Sequence, residues 1–213
     1  MSVAVIFALN AELKPFLKQA KNSSLLLCRT GIGMGNAHEA CERLIEQSAP
    51  TLIVSAGYCG GLRPGMKSGD LLLPTEIWSE AGDRFTPEAT SLSLPHHSGP
   101  LLTVFNLLKT VTEKTVWGNK GAYGVDMETA AIAAVCHKKG VPLISLRVVF
   151  DPVTMELPGL TVGAILKKSW LQIPRLIRMN LICQKNLALL LNRFLQTSRP
   201  GDRCHAGSGS REG

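Results

Sequence analysis

Apolar residues follow two alternating patterns along this chain. Ser2–Ala8, Ser24–Cys28, Thr51–Ala56, Asp70–Leu73 and Pro142–Val149 are short β-branched or leucine-rich runs, several apolar at consecutive positions. That pattern predicts strands covered on both faces. Ala11–Ala20, Asn36–Gln47, Asp126–Lys138 and a long stretch from about Thr161 to Leu195 carry helical periodicity. Strand and helix alternate, which predicts an α/β fold around a mainly parallel sheet. Gly60-Gly61, Arg63-Pro64-Gly65 and Lys139-Gly140 supply the breaks. Ser79 to Gly99 shows no period and reads as a surface loop, and 199–213 reads as a disordered tail. No internal repeat is found.

Composition narrows the class without naming a function. A chain of 213 residues suits one domain, and 45% hydrophobic with 18% charged residues excludes a disordered protein. No apolar run reaches the roughly 20 residues of a membrane-spanning helix. The N-terminus lacks a basic region and a small-residue cleavage site, so a cytoplasmic protein is expected. Cys28, Cys41, Cys59, Cys136, Cys183 and Cys204 form no CxxC pair. Neither a metal site nor a disulfide framework is expected.

The net charge of +7 is unevenly placed. Lys167, Lys168, Arg175, Arg178, Lys185, Arg193, Arg199 and Arg203 are opposed only by Asp202. Aromatics do not interleave with these charges, so nucleic acid is not the expected partner.

Five features carry candidate chemistry. Gly31-Ile32-Gly33-Met34-Gly35 joins a strand to a helix, but its GxGxG spacing lacks the acid some twenty positions on that a dinucleotide site needs. It reads as tight turns. Ser55-Ala56-Gly57-Tyr58-Cys59-Gly60-Gly61 follows a buried strand, where a flat ligand can approach glycine backbone; a structural turn would look the same. In Val125-Asp126-Met127-Glu128, Asp126 suits a helix N-cap and Glu128 a first-turn acid; alternatively Met127 and Glu128 project into a pocket. Asp151 ends an apolar strand before Pro152, as a turn residue or as a carboxyl whose surroundings raise its pKa for proton transfer. Glu12 starts a helix after the first strand, with helix-dipole capping as its alternative.

The order of these features resembles the nucleoside phosphorylase / methylthioadenosine–adenosylhomocysteine nucleosidase superfamily across Ser2 to about Pro158. The residues are Ala8-x-x-x-Glu12, Gly31-Ile32-Gly33, Ala56-Gly57-x-x-Gly60-Gly61-Leu62, Gly69-Asp70, Val125-x-Met127-Glu128-x-x-Ala131-Ile132-Ala133-x-Val135 and Arg147-x-x-x-Asp151. The M-E helix and the R-x-x-x-D strand are the specific parts. The resemblance implies one catalytic domain over 1–198, a three-layer α/β sandwich with a central mixed sheet flanked by helices. It implies cleavage of the N-glycosidic bond of a purine (adenine) nucleoside. Glu12 would activate water and Asp151 would protonate the base. Ala56, Gly57, Tyr58, Met127, Glu128 and Phe150 would bind substrate, Glu128 gripping the ribose hydroxyls. No cofactor is implied, phosphate entering only as co-substrate of a phosphorylase. A homo-oligomer is implied as well.

Three departures bear on the base. Phe150 stands where the nucleosidases usually have serine, Tyr58 fills a usually small site, and Leu107 lies roughly where a stacking phenylalanine is expected. Arg147-Val148-Val149-x-Asp151-Pro152, then Glu156-Leu157-Pro158 and a basic helical end over about 161–196, is similar to the hopanoid-associated phosphorylase branch. That similarity implies an adenosyl-hopane lipid precursor as substrate. The basic stretch, with Trp170, Leu171, Ile173, Leu176 and Ile177, would then meet an anionic membrane surface at the inner membrane; otherwise it is a closing helix. Two further readings stay open: phosphorolysis, for which Arg29 is the nearby arginine, and a non-catalytic nucleoside- or lipid-binding protein.

Overall fold

The computed structural model describes residues 2–20, 25–90, 92–157 and 173–197. The order is β1 (Val3–Phe7), α1 (Asn10–Ala20), β2 (Leu25–Arg29), α2 (Met34–Ser48), β3 (Leu52–Gly61), β4 (Leu71–Ser79), β5 (Arg84–Phe85), β6 (His97–Thr103), α3 (Val111–Asn119), β7 (Gly124–Asp126), α4 (Thr129–Lys139), β8 (Leu143–Asp151) and α5 (Ile173–Thr197). The fold is a single-domain α/β structure with a mixed sheet between helical layers, as expected. The predicted tail and the stretch 161–172, with Trp170 and Leu171, lie outside the described residues.

The alternation of side chains along β1 builds both layers. Val5 and Phe7 join one core with Phe16 of α1 and Leu187, Leu190, Leu191 and Phe194 of α5. Ala4 and Ile6 join the opposite core with Ala37 and Cys41 of α2 and Ile132, Ala133 and Cys136 of α4. Strands apolar at every position are what a sheet covered on both faces requires.

The sheet is less simple than a doubly wound one. β2, β1, β3 and β8 run parallel in that order. β8 then pairs antiparallel with β4, β4 parallel with β6, β6 parallel with β7, and β7 antiparallel with the end of β3. The last five strands therefore close a ring, and β3 belongs to both halves. Its first part pairs with β1, whereas Gly60 and Gly61 pair with Val125 and Gly124 of β7. The glycine segment read as a turn is accordingly strand, running on to Gly61.

Other expectations are corrected. Ser79–Gly99 is not all loop: it holds β5 and the start of β6. The helix expected from Asp126 begins at Thr129, because Gly124–Asp126 is consumed as β7. β6 and α3 were not predicted. α3 starts with a capping box, the Thr110 side chain accepting from Glu113 N–H while the Glu113 carboxylate accepts from Thr110 N–H. Its Gly118 backs onto the end of β3, where a Cβ would stand 2.2 Å from the Leu62 carbonyl oxygen.

Gly118 and Gly35 form a matched test. Alanine is the better helix former by about 1 kcal/mol, but at Gly118 it meets a backbone oxygen that no rotamer change can move. Gly118→Ala is expected to destabilise the protein by about 1–3 kcal/mol, the usual cost of overpacking. At Gly35 of α2 a Cβ would meet nothing within 4 Å, and Gly35→Ala is expected to gain about 0.4–1 kcal/mol. Urea unfolding of both variants checks the opposite signs.

Candidate active site

Glu12 is the third residue of α1, and its chain turns back at once onto the helix start. Its Oε2 accepts from Ala8 N–H at 3.1 Å and Leu9 N–H at 2.8 Å, and its Oε1 accepts from Tyr58 N–H at 2.8 Å. The capping reading is therefore correct, yet the carboxylate also faces a cavity. Gly57 permits this: a Cβ there would lie 2.8 Å from Oε1. The side chain is 2% exposed. Burial pushes its carboxyl above the ordinary range, while the three backbone N–H groups and the Arg147 charge pull it back.

The cavity is lined by Ile6, Ala8, Glu12, Thr30, Ser55, Ala56, Gly57, Tyr58, Glu128, Ile132 and Arg147. It lies beyond the carboxyl ends of β1 and β2, where parallel sheets bind ligands. Its volume is about 20 Å³, against about 380 Å³ for a cleft between Gly69 and Leu189. Converging acids, not volume, mark the smaller one as the candidate site.

Glu128 reaches this cavity from the start of α4. Its Oε1 accepts from Gly33 N–H at 2.7 Å and its Oε2 from Met127 N–H at 3.2 Å. Gly33 has φ of 95°, a left-handed conformation that favours glycine, so the tight-turn reading of Gly31–Gly33 holds while the turn also aims an N–H at the acid. Burial, and then the nearby Asp126 charge, push the Glu128 carboxyl up to about 7. It does not cap α4; Asp126 does, accepting from Thr129 N–H at 3.2 Å.

Behind the cavity lies a buried network centred on Arg147, whose side chain role was not foreseen. Nη1 donates to the Ser55 carbonyl at 3.0 Å; Nη2 donates to Ser55 Oγ at 2.7 Å, to Asp126 Oδ2 at 3.1 Å and to Thr129 Oγ1. Thr103 Oγ1 donates to Asp126 Oδ1 at 2.7 Å and accepts from Ala130 N–H at 2.9 Å.

Of the remaining candidates, Ala56, Gly57 and Tyr58 line the cavity. Tyr58 stacks on Phe150, with centroids 5.7 Å apart, and its hydroxyl donates to Asn180 of α5 at 3.3 Å. Met127 packs against the cluster of Leu62, Leu102 and Val104. Phe150, Met127 and Asp151 are not among the cavity's lining residues. Leu107 is 37% exposed. Asp151 ends β8 beside Gly60, and burial raises its carboxyl against the opposing pull of an ammonium group, that of Lys114. Lys114 was missed. The one signal for its placement was Thr110-x-x-Glu113, which marks the start of α3. Among the described residues no group of three or more His, Cys, Asp or Glu side chains is placed to hold a metal ion.

The sequence model of the Phosphorylase superfamily matches residues 6–102 and 88–162. The chain belongs to the phosphorylase superfamily. Among curated members, the 5'-methylthioadenosine/S-adenosylhomocysteine nucleosidase of Anoxybacillus flavithermus is 25% identical over 158 residues, covering 61% of this chain and 68% of that protein. The nucleosidase of Shewanella halifaxensis is 27% identical over 169 residues, or 66% and 74% of the two chains. In fold, this superfamily member is similar to the Neisseria meningitidis nucleosidase bound to methylthio-immucillin-A, with TM-score 0.73, 20% identity and coverage of 92% and 98%. Futalosine hydrolase of Helicobacter pylori superposes with TM-score 0.73 at 16% identity, covering 92% and 97%.

Two consequences can be measured. Gly57→Ala is expected to displace the Glu12 carboxylate and abolish any reaction that needs it, with the circular dichroism spectrum unchanged. Glu128 binds its proton more tightly when folded, so its contribution to stability is complete below 4.5 and is lost as pH rises through about 7. Glu128→Gln is expected to flatten that decline, read from urea unfolding across pH 4 to 8.

Proposed function

We propose that this protein hydrolyses the N-glycosidic bond of a purine nucleoside. The observation that carries the reading is the convergence of Glu12 and Glu128, far apart in the sequence, on one cavity. Breaking C1′–N9 builds positive charge on the sugar and negative charge on the base. Carboxylates near the sugar and a proton donor near the base lower that barrier. Glu12 accepts the proton of the attacking water, Glu128 exchanges its Gly33 partner for the ribose hydroxyls, and Asp151 protonates N7. Ala56, Gly57 and Tyr58 border the base, Phe150 stacks behind Tyr58, and Met127 holds the ribose with Glu128. The names of the nucleosidase relatives support this reaction class.

Water is favoured over phosphate because the cavity's arginine is already spent. Both terminal nitrogens of Arg147 are engaged by protein, and Arg29 is exposed at the end of β2. A phosphorylase needs a guanidinium or ammonium aimed at its anion.

The 5′-substituent we propose is a lipid. Supporting it, α5 carries no acidic residue, and it turns Ile177, Leu181 and Leu189 to solvent beside exposed Arg178 and Lys185. Such a face suits an anionic bilayer surface. Among the described residues no helix is long and apolar enough to cross a membrane.

One assay separates these readings: base release from methylthioadenosine, adenosine, inosine and an adenosyl lipid, with and without phosphate. The expected result is phosphate-independent release, greatest from the adenosyl lipid, with Glu12→Gln lowering it about 10²–10⁴-fold. Release only with phosphate establishes phosphorolysis, and no release from any substrate leaves a binding protein. Flotation with anionic vesicles tests α5; absence of binding removes the membrane.

A further inference from the structure

One buried charge has no part in the reaction above. Lys114 is 0% exposed, and lysine is almost never wholly buried unless paired. Its Nζ touches Asp151 Oδ2, the Met155 carbonyl at 2.7 Å and the Pro152 carbonyl at 3.4 Å. α3 is pressed onto the end of β3 to bring it there: Gly118 leaves no room for a side chain against Leu62, and Arg63 Nη1 ties the Gly118 carbonyl at 2.8 Å.

Resting on the nucleosidase reading of Asp151, we infer that Lys114 is the proton reservoir for the leaving purine. It passes an Nζ proton to Asp151, which delivers it to N7 as C1′–N9 breaks. The hydrogen bonds suit both states of the pair. As an ammonium, Nζ has three donors for three acceptors. As an amine it keeps two N–H donors for the Met155 and Pro152 carbonyls, and its lone pair accepts from the protonated Asp151. The second state carries no charge, which burial favours.

The step balances. Ammonium and carboxylate become amine and carboxylic acid. The C1′–N9 electrons go to the base, N7 takes the Asp151 proton, the water oxygen bonds C1′, and the water proton goes to Glu12. Exchange with solvent then returns Glu12 to carboxylate and Lys114 to ammonium. The titratable groups facing Asp151 from other elements are Cys59 of β3 and Cys183 of α5. Burial pushes both thiols up, Cys183 to about 12 and Cys59 further, so they stay protonated throughout. Arg63 also faces α3, through its bond to the Gly118 carbonyl.

The test uses two substrates over pH 5 to 10: methylthioadenosine, whose base needs a proton to leave, and p-nitrophenyl riboside, whose phenolate does not. Wild type holds the transferable proton until the pair as a whole loses it. In Lys114→Met, Asp151 titrates alone, so methylthioadenosine cleavage should stay within about threefold of wild type at pH 5 and fall about tenfold per pH unit above that lone titration. Lys114→Arg keeps the charge but cannot release a proton, so it should lose about 10²–10⁴-fold at every pH. Cleavage of p-nitrophenyl riboside should be unchanged in both.

A Lys114→Met profile parallel to wild type, or equal losses on both substrates, overturns the proposal as a merely structural role would. If Lys114→Met shows no thermal unfolding transition, the substrate split in Lys114→Arg decides. Wild type cleaving neither substrate, or Asp151→Asn retaining full purine cleavage, overturns the underlying reading and the reservoir with it. A failure confined to Lys114 leaves that reading standing.

Discussion

A guanidinium sealed inside a sheet needs partners for its charge, and the architecture around the cavity supplies them to both terminal nitrogens of Arg147, while its buried Nε has none among the described residues. Removing one partner of a buried ion pair costs about 3–5 kcal/mol, because the other charge is stranded. Arg147 therefore fixes β8 to β3 through Ser55 and to the β7–α4 junction through Asp126 and Thr129. It stands opposite Gly57 in the strand register, and Gly57 is the residue against which Glu12 rests. Asp126, held by the same arginine, performs the capping of α4, and so Glu128 two residues later is left to face the cavity. One buried cation at the cavity wall thus sets the positions of both acids.

The two acids are tuned by different surroundings. Glu12 is buried more deeply, but three backbone N–H groups solvate its charge in place of water. Glu128 has two such donors and a neighbouring carboxylate, and burial together with that neighbour raises its carboxyl.

Patterning exposed the framework of the fold and much of the site. Runs such as Val3–Phe7 and Leu143–Val149 are apolar on both faces, so burial alone announces them. Glu12, Gly57 and Glu128 were readable because each sits at the end of such a run. β6 and β7 were hidden for the opposite reason: His97–Thr103 mixes glycine and proline with leucine, and Gly124–Asp126 is too short to show a period. α3 has no apolar face because one of its inward residues is Lys114, so its capping box was the only local sign. The partnership of Lys114 with Asp151 depends on α3 docking across the end of β3, and no spacing in the chain encodes that. The strand character of Gly57–Gly61 was concealed likewise, since glycine there answers to the close approach of Glu12, Val125 and Val149 rather than to a turn.

The place of β8 has a consequence for how the molecule comes into being. Ile53 pairs with Leu143 and Leu71 with Val148, so the strand that completes the middle of the sheet is the last to leave the ribosome. Until then β3 lacks a neighbour on one side, Arg147 is not yet present, and the two acids have nothing to hold them in register. Pairings this distant along the chain slow the search for the native state. A nascent chain cut short before Leu143 would carry seven of its eight strands and both carboxylates, and still have no site.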